Sequence, residues 1–117
     1  MQTIGFIGLG IMGRPMAGHL LEAGYAVVTS DHRKAPPNDL VARGLKTVTG
    51  HAAVARAADV VITMVPDTPQ VEEVLFAPGG VAEGLTPGKL VIDMSSISPI
   101  ATREFAARIE ALGCAYL

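Results

Sequence analysis

Gly8-Leu9-Gly10-Ile11-Met12-Gly13 follows directly on the apolar run Thr3-Ile4-Gly5-Phe6-Ile7 and precedes a helical pattern over residues 11–23, with Leu20 and Leu21 on its packing side. The apolar run reads as a strand buried on both faces, so the glycine-rich segment is a strand-to-helix turn. In that setting G-x-G-x-x-G has a physical meaning. Gly8 permits a tight turn. Gly10 has no Cβ, so the backbone can approach a pyrophosphate. Gly13 lets the helix pack closely on the strand. The helix N-terminus then offers unpaired N–H groups and a partial positive charge to phosphates. Such turns also arise for packing alone. The two readings are separated by an acid at the end of the next strand, and residues 25–30 form that strand. Asp31 closes it 21 residues after Gly10, where ribose recognition calls for a carboxylate about 20 residues on.

Outward from this turn, strands and helices alternate. Gly24 stops the first helix. Pro36 and Pro37 mark a loop, residues 39–43 a short helix ended by Gly44, and residues 46–49 a weak third strand. Residues 51–58 are alanine-rich and helical. Residues 59–65 form the clearest strand, which Pro66 ends because proline cannot extend a central ladder. Thr68 reads as the cap of the next helix and Pro69 as its first residue, with Val71, Val74 and Leu75 on one side. Gly79-Gly80 and residues 84–88 are turns, and residues 89–93 a fifth strand. Ser98-Pro99 opens a helix to about residue 112, Gly113 stops it, and residues 114–117 begin a sixth strand. This alternation predicts a Rossmann-type α/β fold: a doubly wound parallel sheet of about six strands with helices on both faces. Residues 1–117 read as one dinucleotide-binding domain. Its end at the start of a strand reads as a cut at a domain edge, with a larger enzyme continuing beyond it.

Composition sets the outer limits. Half of the 117 residues are hydrophobic and 17% are charged, enough to bury a core. The net charge is −2 and no Lys/Arg run occurs, which argues against a nucleic-acid partner. Cys114 is the sole cysteine, so neither an internal disulfide nor a zinc set can be built on it. It reads as a buried, inert thiol in a cytoplasmic protein. The apolar N-terminal run is broken by glycines and lacks a basic leader, so it reads as neither a signal peptide nor a membrane span.

The remaining polar residues divide into a cofactor set and a background. The Asp31 carboxylate suits the adenosine ribose hydroxyls and repels a 2′-phosphate, which favours NAD(H). His32, Arg33 and Lys34 follow at once; they are either a solvated loop or a phosphate site that admits NADP(H). In an open parallel sheet the ligand lies beyond the carboxyl ends of the strands. Two loops should therefore face the cofactor's ribose and nicotinamide: Val65-Pro66-Asp67-Thr68-Pro69-Gln70 and Asp93-Met94-Ser95-Ser96-Ile97-Ser98-Pro99. Ser95 and Ser96 either hydrogen-bond there or simply supply the small polar residues of a helix start. His19 reads as solvated or packing and His51 as a helix start. Asp67 and Asp93 are either a carboxylate pair or turn residues. No Ser-His-Asp set and no metal-ligand spacing stands out.

The opening stretch from Ile4 to Ala17, Ile-Gly-Phe-Ile-Gly-Leu-Gly-Ile-Met-Gly-Arg-Pro-Met-Ala, resembles the β-hydroxyacid dehydrogenases, a family that includes 3-hydroxyisobutyrate and 6-phosphogluconate dehydrogenases. Residues 64–76 and 93–100 are similar to its tartronate semialdehyde reductase (2-hydroxy-3-oxopropionate reductase) branch, and the resemblance covers essentially the whole chain. It implies hydride transfer between a nicotinamide cofactor and a short 3-hydroxy acid, with tartronate semialdehyde reduced to D-glycerate in that branch. It also implies cofactor contacts from Gly8, Leu9, Gly10, Ile11, Met12, Gly13, Asp31, Val65, Pro66, Gln70 and Ser96, with Ser96 also near the substrate. The family's catalytic lysine, a general acid/base, lies in an all-helical domain beyond Leu117. The resemblance therefore implies that these 117 residues bind a dinucleotide without turning over, as part of a homo-oligomeric parent. Two rival readings remain open: a 3-hydroxyisobutyrate dehydrogenase-like enzyme, and a stand-alone dinucleotide-binding or sensor module.

Overall fold

Successive residues of the central strands serve two different cores, as the two-residue period of a strand requires. Ile4, Phe6, Val27 and Ile62 pack with Ala17, Leu40 and Leu45 on one face of the sheet. Ile7, Val28, Val61 and Val91 pack with Val54, Val71, Leu75, Phe105 and Ile109 on the other. The computed structural model describes residues 2–10, 12–30 and 37–117. Within them six strands, β1 (Thr3–Ile7), β2 (Ala26–Ser30), β3 (Lys46–Val48), β4 (Val60–Thr63), β5 (Leu90–Asp93) and β6 (Ala115–Tyr116), form one sheet in the order β3-β2-β1-β4-β5-β6. Every described pairing is parallel. Helices α1 (Gly13–Glu22) and α2 (Asn38–Ala42) supply the first core. Helices α3 (His51–Ala57), α4 (Thr68–Phe76) and α5 (Pro99–Glu110) supply the second. Each fully buried Val, Leu, Ile or Phe stabilises by about 1.5–3 kcal/mol, so these two layers hold the sheet together. This is the Rossmann-type doubly wound fold expected from the alternation of strands and helices.

Gly5 explains how closely one layer approaches. A Cβ there would come within 2.5 Å of the Val54 Cγ1 atom, so the bare backbone of β1 lets α3 settle onto the sheet. Gly24, the expected stop of α1, follows the helix with φ +95°, a conformation that glycine adopts without a Cβ penalty. Cys114 is buried as expected, and its Sγ lies 3.2 Å from the Thr86 carbonyl oxygen it donates to.

Two local expectations need correction. Asp67, and not Thr68, caps α4: its backbone is extended and its Oδ1 accepts a hydrogen bond from the Gln70 N–H at 3.1 Å. Thr68 is already helical, and its hydroxyl oxygen accepts from the Ser98 N–H at 3.3 Å instead. Asp and Thr both cap well, so the choice turned on which residue the chain holds extended. Asp67→Ala is expected to cost about 1 kcal/mol of stability, as is typical for losing an N-cap. Thr68→Ala should cost less, and urea midpoints of the two variants check the order. The second correction is the segment after Gly80, where Val81–Gly84 forms a 3-10 helix between the predicted turns.

Candidate functional site

The strand order reverses between β1 and β4. β1 is followed by β2 on one side, whereas β4 and β5 continue on the other. Loops leaving the carboxyl ends of β1 and β4 therefore part in opposite directions and leave a crevice between them. The structure has a cleft there of about 940 Å³, at the upper end of typical ligand pockets.

The glycine turn forms its floor. Gly8 has φ +110°, and a Cβ on it would drive into the Met64 carbonyl oxygen at the end of β4. A Cβ on Gly13 would strike the Gly8 carbonyl oxygen and come within 3.0 Å of the Phe6 ring. Gly10 differs: a Cβ there meets nothing within 4 Å. Two of the three glycines are thus required by the protein's own packing, and the third leaves open space on the cleft side. The start of α1 is open as well. No side chain caps it, and its first turn carries no acidic residue. Helices α4 and α5 differ in this respect, α4 being capped by Asp67 and α5 by Ser98, whose Oγ accepts from the Ala101 N–H, whereas α2 and α3 also start without a side-chain cap. Free N–H groups at a helix start, next to a glycine with room above it, suit a phosphate. The residues present therefore fit a dinucleotide.

All the described candidates meet in this one cleft: Gly8, Leu9, Gly10, Met12 and Gly13 from the turn, Val65, Pro66 and Gln70 after β4, and Ser95 and Ser96 after β5. Ile11, Asp31, His32 and Arg33 lie outside the described residues. Of the two serines, Ser95 is already engaged, its Oγ accepting the Val65 N–H at 2.9 Å. Ser96 is the exposed one. Asp67 and Asp93 have separate local partners: Asp67 caps α4, and Asp93 accepts from the Thr63 hydroxyl and from the Ser95 N–H. His19 is solvated. No group of three or more His, Cys, Asp or Glu side chains able to hold a metal occurs among the described residues. Nor is any helix among them long and apolar enough to cross a membrane.

The structure adds residues that the linear reading missed. Arg14 lines the cleft and donates to Asp39 at 3.0 Å. That hydrogen bond holds the Asp39 carboxyl below the usual carboxylate range. Its place immediately after Gly13, on the first helical turn, was the available signal. His51 does start α3, as expected, but it also lines the cleft, with its Nδ1 2.9 Å from the Ser30 Oγ. Thr29 and Glu73 complete the additions that matter here, and Met94 lines the cleft from the loop already expected to face it.

Comparison with known proteins gives a consistent pattern. Residues 3–117 match the family described as the NAD binding domain of 6-phosphogluconate dehydrogenase. The 2-hydroxy-3-oxopropionate reductase of Escherichia coli (strain K12) is 48% identical over 117 residues, covering 99% of this chain and 39% of that protein. The crystal structure of 3-hydroxyisobutyrate dehydrogenase from Salmonella typhimurium superposes with a TM-score of 0.86 at 31% identity, over 99% of this chain and 40% of that one. A structure solved in complex with NADP+ and 2-OPP gives the same TM-score, 0.86, at 28% identity, over 97% of this chain and 40% of that one. The chain thus spans about two fifths of the length of the proteins it matches.

Proposed function

From the premise that this chain belongs to the family of NAD-binding domains typified by 6-phosphogluconate dehydrogenase, we propose that its cleft binds the nicotinamide dinucleotide of a hydroxyacid oxidoreductase. The observation that carries this reading is the open start of α1 beside Gly10, at the point where the strand order reverses. In this assignment Gly8, Leu9, Gly10, Ile11, Met12 and Gly13 hold the pyrophosphate and Asp31 accepts from the adenosine ribose. Val65, Pro66, Gln70 and Ser96 face the nicotinamide half, with Ser95 and Ser96 beside the substrate. The bound nicotinamide supplies or accepts hydride. The residues of this chain position it and exclude water from one side.

The preferred cofactor is NAD(H), because a carboxylate at Asp31 repels a 2′-phosphate. NADP(H) is the second reading, favoured by the similarity to a structure solved with NADP+ and by His32 and Arg33 directly after Asp31. The substrate we favour is tartronate semialdehyde, on the 48% identity with a 2-hydroxy-3-oxopropionate reductase. 3-Hydroxyisobutyrate is the alternative, on the structural likeness to that dehydrogenase. General acid/base catalysis by a lysine, implied by the family resemblance, falls to a helical domain outside these 117 residues.

Calorimetric titration of the chain with NADH and with NADPH at fixed salt tests the cofactor assignment. Tighter NADH binding is expected. Tighter NADPH binding would move the decision to His32 and Arg33, and failure of both to bind would remove the dinucleotide reading. Substrate choice is tested on a protein that includes the helical domain, by following NADH absorbance with tartronate semialdehyde and with 3-hydroxyisobutyrate. A higher kcat/KM for the latter would reverse the substrate assignment.

A further inference from the structure

The two loops that flank the nicotinamide half leave adjacent strands, yet backbone pairing stops short of them. The last β4–β5 pair is Thr63 with Asp93, and the Met94 N–H donates to the Thr63 carbonyl at 2.8 Å. Beyond that point the connections are made by side chains. The Thr63 hydroxyl, fully buried, donates to Asp93 Oδ1 at 2.9 Å. The same Oδ1 accepts the Ser95 N–H at 3.1 Å. Ser95 Oγ then accepts the Val65 N–H at 2.9 Å, returning to the loop after β4. The circuit Thr63–Asp93–Ser95–Val65 thus closes across the two strands and fixes the backbone at Val65-Pro66 and Ser95-Ser96, all four of which line the cleft.

An aspartate at a strand end that accepts only the N–H two residues on is ordinary turn chemistry. Asp93 does more, because its second partner lies on a different strand. Tyr116, on β6, closes the far side of this strand end. Its hydroxyl is enclosed beside the Asp93 carboxylate, and burial, followed by the Asp93 charge and the contact with its side chain, pushes its pKa above the ordinary phenol range. The carboxylate is therefore flanked by a neutral phenol on that side.

We infer that Asp93 is a positioning residue: through Thr63 and Ser95 it sets the spacing of the β4 and β5 loops, and so governs binding of the nicotinamide half of the dinucleotide but not of its adenosine diphosphate half. The inference rests on the dinucleotide reading of the cleft. Its separate content is that the two halves of the ligand depend on different residues.

The test compares NADH with ADP, which reaches the glycine turn and lacks the nicotinamide riboside. With Asp93→Ala, NADH affinity is expected to fall about tenfold while ADP affinity stays within about twofold. Asp93→Asn keeps a carbonyl oxygen for both donors and should restore NADH binding to near its original value. Thr63→Val, which removes one donor at nearly constant shape, should give a smaller loss of the same selective kind, and it carries the test if Asp93→Ala fails to fold. Equal losses of NADH and ADP would make Asp93 a general stabiliser and overturn the inference. So would unchanged NADH binding in Asp93→Ala, or Asp93→Asn behaving like the alanine variant. Failure of the unaltered chain to bind ADP or NADH would instead remove the dinucleotide reading, and the inference with it. The unaltered protein therefore tells the two failures apart.

Discussion

Gly10→Ala is expected to abolish dinucleotide binding while leaving the fold as stable as before. The structural half of this expectation follows from the open space above Gly10. A Cβ there has no atom within 4 Å to collide with, and Gly10 is not among the glycines held at positive φ. Alanine at such a site changes stability by less than about 1 kcal/mol, and can raise it by restricting the unfolded chain. The binding half follows from where the open space lies. Gly10 lines the cleft beside the uncapped start of α1, so an added methyl group occupies volume that a pyrophosphate needs in order to reach the helix N–H groups. A loss of about a hundredfold or more, roughly 2.7 kcal/mol, is expected for both NADH and ADP. Urea denaturation gives the stability and calorimetry the affinities. Retained binding would mean that the phosphates do not cross Gly10. A strongly lowered urea midpoint would mean that this glycine, like its neighbours, serves packing.

The three glycines illustrate how far the sequence could be read. The motif placed a turn between a strand and a helix, and β1 and α1 flank it as that reading required. It also assigned each glycine a reason, and packing bears out two of them: at Gly8 the crowding atom is the Met64 carbonyl, at Gly13 the Gly8 carbonyl and the Phe6 ring. The parallel, doubly wound sheet was legible because apolar strands separated by helices permit few unknotted arrangements, whereas the order β3-β2-β1-β4-β5-β6 came only with the structure. What remained hidden depended on contacts between elements distant in sequence. His51 was legible as the start of α3, but its position beside Ser30 depends on α3 crossing under the end of β2. The Asp93 circuit needed the β4–β5 register, since nothing in the spacing of Thr63, Val65, Asp93 and Ser95 says that these residues meet. The 3-10 helix at Val81–Gly84 was hidden for a local reason, because a segment of one turn has no period to detect.

Gly8→Ala, only two positions from Gly10→Ala, is expected to destabilise the domain by about 3 kcal/mol or more, and binding should fail only as a consequence. Two penalties act together. Gly8 has φ +110°, where an L-residue is strained by about 1–3 kcal/mol. Its Cβ would also be driven into the Met64 carbonyl group, which is backbone and cannot rotate aside as a side chain could. Nor can β4 retreat cheaply. The Met64 N–H donates to the Ile7 carbonyl at 2.8 Å, and the β1–β4 pairing runs without a break from Ile4–Val60 to Ile7–Thr63. Opening that seam would disturb Phe6 and Val61, which are fully buried in opposite cores. Relief of the clash therefore exposes apolar surface on both faces, a cost of the size seen when a core is overpacked, about 1–3 kcal/mol. The expected observation is a large drop in the urea midpoint without ligand, with residual affinity for ADP in the fraction that remains folded. A midpoint matching that of the unaltered chain would show that the turn relaxes around a methyl group, and the tight-turn role of Gly8 would then be wrong. The contrast with Gly10→Ala is the stronger check, because the same chemical change at two positions in one loop should separate cleanly into a loss of fold and a loss of ligand.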